Sequence, residues 1–138
     1  MGEAIENSTR HLRRRALIVD DSLTMRMILR RTLESQGFEV VEAGNGREAL
    51  ERLSLMRIPD LALVDWNMPE MNGIDFICAV RRDRAYDAMR VVMVTTETEF
   101  EQVQRALNAG ANEYVMKPFS QEVLAGKLSM LGFGGPDA

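Results

Sequence analysis

Residues capable of phosphate and metal chemistry follow four short apolar stretches of this 138-residue sequence. The residues are Asp20 and Asp21 after the first stretch, Asp65 after the third, Thr95 after the fourth and Lys117 after the fifth. In an open α/β sheet, ligands bind beyond the carboxyl ends of the strands, near the point where the strand order reverses. If the stretches are strands of such a sheet, three carboxylates, a hydroxyl and an ammonium group meet at one edge.

The three carboxylates predict a site for Mg²⁺. Clustered carboxylates repel one another unless a cation lies among them, and oxygen ligands with no His or Cys nearby favour Mg²⁺ over zinc or copper. Asp21 and Asp65 can ligate the ion directly, and Asp20 can hold a metal-bound water. Thr95 and Lys117 can both bind oxygens of a phosphoryl group at the same place, where Mg²⁺ and Lys117 would neutralise the charge that develops in phosphoryl transfer.

Each of these residues also has a purely structural interpretation. An acidic residue between a strand and a helix is often a helix N-cap, so Asp20 and Asp21 alone fit capping as well as metal binding. Asp65 alone fits a strand-end turn, Thr95 can end a strand, and the pair Lys117-Pro118 is typical of a turn. Their joint occurrence at successive strand ends favours the chemical interpretation.

Five apolar runs alternate with segments of helical spacing along the chain. The runs begin at Ala16, Phe38, Leu61, Val91 and Tyr114. Four are nearly unbroken, as expected for parallel strands that are covered on both faces, whereas the Phe38 run is mixed and suits a strand nearer an edge. Five strand–helix units predict an α/β fold with a five-stranded parallel sheet, right-handed crossovers and helices on both faces.

Polar residues mark the expected starts of three helices. Asn45, with Glu48 three residues later, opens the second helix, and Ser120 caps the last one. Thr98 and Glu101 form a capping-box pattern ahead of the fourth helix. The last helix is expected to bury one apolar face, formed by Val123, Leu124, Leu128 and Leu131.

Composition excludes several classes of function. A hydrophobic share of 46% is typical of a globular domain, and a net charge of −4 argues against nucleic acid as a ligand. No stretch is long enough to cross a bilayer, and the N-terminus lacks an apolar leader. The basic run from Arg10 to Arg15 is interpreted as a solvated lead-in to the first strand. Cys78 is the only cysteine, so no internal disulfide is possible. We expect a cytoplasmic protein in which Cys78 is a small buried hydrophobe.

Four segments resemble the receiver domains of two-component response regulators, in particular the stand-alone, CheY-like chemotaxis type. They are residues 17–22, 65–69, 93–95 and 114–119. The resemblance extends over residues 15–131, which predicts a receiver domain there, an N-terminal extension at 1–14 and a C-terminal tail at 132–138. It implies a flavodoxin-like (βα)5 fold with the family's own strand order, 2-1-3-4-5.

The resemblance implies how the site would be used. Asp65 would be the phosphoacceptor, modified by a sensor histidine kinase. Asp20 and Asp21 would be the acidic pair for Mg²⁺, and the backbone carbonyl of Asn67 would be its third protein ligand.

A conformational switch is implied as well. Thr95 and Lys117 would sense the phosphoryl group, and Lys117-Pro118 would form the family's cis peptide bond. Thr95 would move toward the phosphoryl oxygens and leave space that Tyr114, the aromatic switch residue, fills by turning inward.

The output of this switch is expected on the face of the fourth helix, fifth strand and fifth helix. Its candidate partner-surface residues are Phe100, Val103, Tyr114, Met116 and Lys127, each of which also fits ordinary amphipathic packing. Asn67 and Glu97 would lie beside the path of the hydrolytic water and give a short-lived phosphoryl state. Thr96 departs from the small residue common in the family, which predicts narrower access to Asp65 and slower phosphotransfer.

Two rival classes share parts of the pattern. Haloacid dehalogenase-type phosphatases carry an Asp-x-Asp nucleophile motif after the first strand and usually a cap domain. Here the motif follows the third strand, and Asn67 stands where the second Asp of an Asp-x-Asp motif would be. A chain of 138 residues also leaves no room for a cap domain. A flavodoxin-like cofactor carrier is disfavoured because the acidic turn at Asp20 and Asp21 would repel a flavin phosphate. A P-loop nucleotide hydrolase is excluded because no Gly-x-x-x-x-Gly-Lys loop is present.

Within the family, a free-standing regulator of chemotaxis or motility is favoured, because only residues 132–138 follow the last predicted helix. A receiver excised from a larger regulator with a DNA-binding or enzymatic output is the alternative. We expect a phosphoacceptor rather than an enzyme, without direct nucleic-acid binding or membrane insertion. We also expect a monomer that can dimerise on phosphorylation and that acts on a downstream protein target.

Overall fold

Five strands alternate with five α-helices in the computed structural model, which describes residues 13–134. The elements are β1 (Arg15–Val19), α1 (Leu23–Ser35), β2 (Glu39–Ala43), α2 (Gly46–Ser54), β3 (Leu61–Val64), α3 (Gly73–Arg81), a 3-10 turn (Arg84–Tyr86), β4 (Arg90–Thr95), α4 (Phe100–Ala109), β5 (Glu113–Met116) and α5 (Gln121–Met130). Most of the predicted N-terminal extension, the first part of the basic run and the end of the predicted tail lie outside the described residues.

All the strands pair in parallel in one sheet, in the order β2-β1-β3-β4-β5. This confirms the predicted fold class and the strand order implied by the family resemblance. The mixed sequence of β2 is explained by its position at the edge, where four of its five residues are only partly buried. β1, β3 and β4 lie inside the sheet and are almost entirely buried, which accounts for their nearly unbroken apolar runs. β5 forms the other edge of the sheet, and two of its four residues are buried.

The sheet separates two apolar cores. Leu17 and Val19 of β1 point into the core that is covered by α2, α3 and α4. Ala16 and Ile18 of the same strand point into the core that is covered by α1 and α5. Alternate residues of a strand therefore reach different cores, and burial on both sides holds the carboxyl ends of the strands in one row.

Two predicted helix starts are confirmed and one is wrong. The Asn45 side chain accepts a hydrogen bond from the Glu48 N–H at 2.9 Å, and the Ser120 hydroxyl accepts one from the Val123 N–H at 3.1 Å. Thr98 does not cap α4, because the helix begins one residue later than the capping-box pattern requires. Glu99 is the N-cap, and its side chain makes no capping hydrogen bond within the described part of the chain.

The predicted apolar face of α5 is only partly correct. Leu124 and Leu128 are fully buried, whereas 49% of Val123 is exposed. Consecutive helical residues point about 100° apart, so a helix that packs Leu124 and Leu128 against the sheet turns Val123 toward solvent. Cys78 is half-buried against the core rather than fully buried. Among residues 13–134, no helix is long and apolar enough to cross a membrane.

Candidate functional site

Strand register brings the predicted site residues to one edge of the sheet. Val19 of β1 pairs with Val64 of β3, so the next residues, Asp20 and Asp65, are neighbours. The Asp65 N–H donates to the Val19 carbonyl at 2.8 Å. On the other side of the site, Lys117 follows β5 and donates its backbone N–H to the Thr95 carbonyl at 2.9 Å.

Asp20 is held from two directions. It is 1% exposed; its Oδ1 accepts a hydrogen bond from the Ser22 N–H at 2.9 Å, and its Oδ2 lies 3.0 Å from Lys117 Nζ. Ser22 also caps α1 through a hydrogen bond from the Met25 N–H, so the start of the helix and the position of the carboxylate depend on the same turn. Asp20 is therefore a fixed negative charge in the floor of the site.

Asp65 is similarly oriented. Its Oδ1 accepts a hydrogen bond from the Trp66 N–H at 2.8 Å, and its Oδ2 lies 3.6 Å from Lys117 Nζ. Only 9% of the residue is exposed. The carboxylate is thus oriented by one N–H group and one ammonium group.

Burial raises the pKa of Asp65 above its usual range, because the charged form loses solvation. The positive charge of Lys117 opposes this shift, and the negative charge of Asp20 adds to it. Weaker contributions from the Trp66 N–H and the Thr95 hydroxyl lower the pKa. The protein surroundings therefore do not fully compensate the charge of the ionised Asp65 carboxylate.

The three acidic residues can hold a metal ion. Asp20, Asp21 and Asp65 each offer a carboxylate oxygen, and these oxygens lie within 4.8 Å of one another. Asp21 is exposed, in contrast to the other two, which leaves room for waters around a cation. Hard oxygen donors in a partly open site fit Mg²⁺. The Asn67 backbone carbonyl as a further ligand of the ion stays a prediction.

The predicted switch residues lie behind the site. Thr95 is fully buried, and Tyr114 is 7% exposed. The Tyr114 hydroxyl donates a hydrogen bond to the Glu97 carbonyl. Tyr114 thus already points inward here, although we expected that position to follow phosphorylation. Its part in a partner surface stays a prediction.

The other candidate partner-surface residues differ in exposure. Phe100 is 75% exposed and Met116 is 47% exposed. Val103 is partly buried against the core, and Lys127 forms an ion pair with Glu113 at 3.1 Å. Phe100 and Met116 are therefore the exposed apolar residues of this set. The Lys117-Pro118 peptide bond is cis, as the resemblance implied.

A hydrogen bond across the mouth of the site could not be predicted from the sequence. Asn67 Nδ2 donates to Glu97 Oε1 at 3.0 Å. In the sequence, Asn67 lies two positions after Asp65 and Glu97 two positions after Thr95. Only the tertiary structure brings the two side chains together. Thr96, the residue that departs from the family pattern, is exposed.

Gly73 is a second residue whose importance the sequence did not reveal. A Cβ atom at this position would lie 2.1 Å from the Asp65 carbonyl oxygen and 3.1 Å from Trp66 Cα. The Gly73 N–H also donates to the Trp66 carbonyl at 2.8 Å. The first turn of α3 therefore supports the backbone of the site directly, and only glycine permits this approach.

Gly73→Ala should lower the free energy of unfolding by about 1–3 kcal/mol, because the methyl group must displace the Asp65 backbone. Gly126→Ala is the matched control, since a Cβ in α5 at that position meets nothing within 4 Å. This control should stabilise the protein by about 0.5–1 kcal/mol. Urea unfolding measures both values, and equal effects of the two substitutions would contradict the close approach at Gly73.

In Mg²⁺-free buffer near pH 7, Asp65→Asn should raise the free energy of unfolding by about 1–3 kcal/mol, because it removes a poorly compensated buried charge. The raised pKa of Asp65 means that the folded state binds a proton there more tightly than the unfolded state. Wild-type stability therefore falls as the pH rises from the ordinary carboxylate range through that pKa. Accordingly, the gain from Asp65→Asn should shrink as the pH is lowered through the same window.

Urea unfolding at a series of pH values checks this expectation. Asp75→Asn is the control, because Asp75 is an exposed carboxylate at the start of α3, and it should bring no gain. A gain from Asp65→Asn that stays constant with pH would show that the carboxylate charge is not its cause.

Comparison with known proteins agrees with this geometry. The family described as response regulator receiver domain matches residues 16–129. The chemotaxis protein CheY1 of Helicobacter pylori is 45% identical over 116 residues, which cover 83% of this chain and 94% of that protein. A chemotaxis protein CheY homolog of Campylobacter jejuni is 45% identical over 120 residues, covering 86% of this chain and 92% of that protein.

The fold has close counterparts among solved structures. The chemotaxis protein CheY4 of Vibrio cholerae superimposes with a TM-score of 0.79 at 38% identity, covering 85% of this chain and 97% of that one. The family match, the identities and the strand order confirm the resemblance. The chain therefore belongs to the response regulator receiver family and is a CheY-like receiver domain of two-component signal transduction.

Proposed function

We propose that Asp65 accepts a phosphoryl group from the phosphohistidine of a sensor kinase and that this modification switches the binding of a protein target. The observation that carries the proposal is the arrangement around Asp65. The Asp65 carboxylate is nearly buried; one of its oxygens accepts a hydrogen bond from the Trp66 N–H, and the other lies 3.6 Å from Lys117 Nζ. The carboxylates of Asp20 and Asp21 lie close enough to share a cation with it. Orientation and charge compensation of this kind are what phosphoryl transfer needs from a protein.

The residues of the chain have distinct parts in the transfer. A carboxylate oxygen of Asp65 forms a bond to phosphorus while the P–N bond of the phosphohistidine breaks and its electron pair returns to the imidazole ring. Lys117 Nζ lies between Asp20 and Asp65, where it can bind a phosphoryl oxygen. Mg²⁺, when held by Asp20, Asp21 and Asp65, supplies compensation for the charge on the phosphoryl oxygens.

The switch is proposed to act through the segment that follows β4. The Thr95 hydroxyl is a donor for a phosphoryl oxygen, and the inward Tyr114 is held by the Glu97 carbonyl. Phosphorylation would favour this inward arrangement over one in which Tyr114 is exposed. Such a shift between two populated states needs only different contacts in each state, not a new fold.

The exposed apolar residues suggest where the target binds. Phe100 of α4 and Met116 of β5 are the exposed apolar members of the predicted partner surface, and Tyr114 lies beneath it. The relatives compared above are named chemotaxis proteins, and we propose control of motility for this chain by analogy. A protein partner fits this face better than nucleic acid, because the chain carries a net charge of −4.

Incubation with Mg²⁺ and a small acyl phosphate donor should add one phosphoryl group to the wild-type protein. The product should be stable in acid and labile in base, as an acyl phosphate is, and intact-protein mass spectrometry measures its yield. Asp65→Asn should remain unmodified, and removal of Mg²⁺ with a chelator should abolish the reaction. Asp75→Asn, the exposed-carboxylate control, should be modified as the wild type is.

Equal modification of Asp65→Asn and wild type would place the acceptor elsewhere. An unmodified wild type in the presence of Mg²⁺ would overturn the proposed function as a whole.

Asn67→Ala and Glu97→Ala should each slow dephosphorylation by about two- to tenfold, the effect of losing one hydrogen bond near a transition state. The reason is that the Asn67–Glu97 contact places two polar side chains at the mouth of the site. The decay of the phosphorylated protein after removal of the donor provides the measurement. Glu101→Ala removes an exposed charge from α4 and is the control. An unchanged decay rate in both site variants would exclude a part for these side chains in hydrolysis.

A further inference from the structure

Arg105 of α4 lies over the ring of Trp66. The guanidinium carbon is 5.7 Å from the ring centroid, within the range of a cation–π interaction. Arg105 is exposed, whereas Trp66 is only 7% exposed and belongs to the core beneath α4. A surface side chain of one helix thus contacts the residue that directly follows Asp65.

Trp66 is in turn connected to the site through its backbone. Its N–H donates to Asp65 Oδ1 at 2.8 Å, and its carbonyl accepts a hydrogen bond from the Gly73 N–H at 2.8 Å. The Trp66 backbone is thus held on both sides by hydrogen bonds, and its ring is packed in the core. The Trp66 N–H is one of the groups that contact the Asp65 carboxylate, and Lys117 Nζ is another.

We propose that Arg105 is a positioning residue for phosphorylation: by holding the Trp66 ring, it keeps the Trp66 N–H aligned with Asp65 and links α4 to the site. This inference rests on the proposed function of Asp65. It adds a connection through Asp65 Oδ1, whereas Lys117 contacts Oδ2.

A different explanation of any effect of Arg105 is attraction of the anionic phosphodonor by its charge. The two explanations differ in their dependence on salt, because the attraction of a donor by an exposed charge is screened at high ionic strength. Alignment of the Trp66 N–H by a ring contact is not lost in this way.

The test compares Arg105→Gln, Arg105→Lys and wild type, with Arg84→Gln as the control. Gln keeps most of the side-chain stem but removes the charge, and Lys keeps a cation that can lie over the ring. Arg84 is an exposed arginine in the 3-10 turn. The rate of phosphorylation by a small acyl phosphate is measured with saturating Mg²⁺ at low and at high salt, on proteins shown to be folded by urea unfolding. Trp66, the only tryptophan, reports on its own surroundings by fluorescence.

Arg105→Gln should be phosphorylated about two- to fivefold more slowly than wild type at both salt concentrations. Its Trp66 emission should move to longer wavelength, because the ring gains contact with water. Arg105→Lys should recover part of both properties, and Arg84→Gln should match the wild type.

Three results would overturn the inference. They are a wild-type rate for Arg105→Gln, a rate difference that disappears at high salt, and a Trp66 emission that the substitution leaves unchanged. Each of them is distinct from failure of the proposed function, in which the wild-type protein itself would not be phosphorylated.

Discussion

The contact of Lys117 with the carboxylates of Asp20 and Asp65 is the interaction on which the rest of the site depends. Lys117 and Asp20 are 97 residues apart in the chain, and their side chains meet because β1, β3, β4 and β5 are adjacent in one sheet. The register that pairs these strands also forces like charges together. Burial in two apolar cores stabilises the sheet against that repulsion, and Lys117 supplies part of the compensation. The remaining negative charge is what makes the edge of the sheet suitable for a divalent cation.

The site is connected to the surface through short contacts rather than through a flexible domain. Glu97 contacts Asn67 through its side chain and Tyr114 through its carbonyl. On the other side, Trp66 joins Asp65 to Arg105 of α4. The first connection ends at Tyr114 of β5 and the second at Arg105 of α4. These two elements carry the exposed residues Met116 and Phe100. A small displacement at Asp65 can therefore reach the proposed partner surface, since packed elements tend to move between discrete arrangements.

Much of the fold could be predicted because its signals are local. Unbroken apolar runs indicated strands covered on both faces, the mixed run indicated the edge strand β2, and side-chain caps at Asn45 and Ser120 were identified by residue type. The errors occurred where tertiary packing selects among local alternatives. Thr98 fits a capping box, but the backbone becomes helical only after Glu99. Val123 is apolar, but the helix rotation that buries Leu124 and Leu128 exposes it.

The sequence by itself determined which chemistry is available, because strand ends are recognisable and the residues that follow them are acidic, hydroxylic or basic. It also determined the family, through the ordered motifs around Asp20, Asp65, Thr95 and Lys117. Only the tertiary structure decided which atoms meet: the Asn67–Glu97 hydrogen bond, the close approach of Gly73 to Asp65, the inward Tyr114 and the position of Arg105 over Trp66. These contacts join residues on different elements, so they depend on strand register and helix placement, which no local pattern of residues specifies.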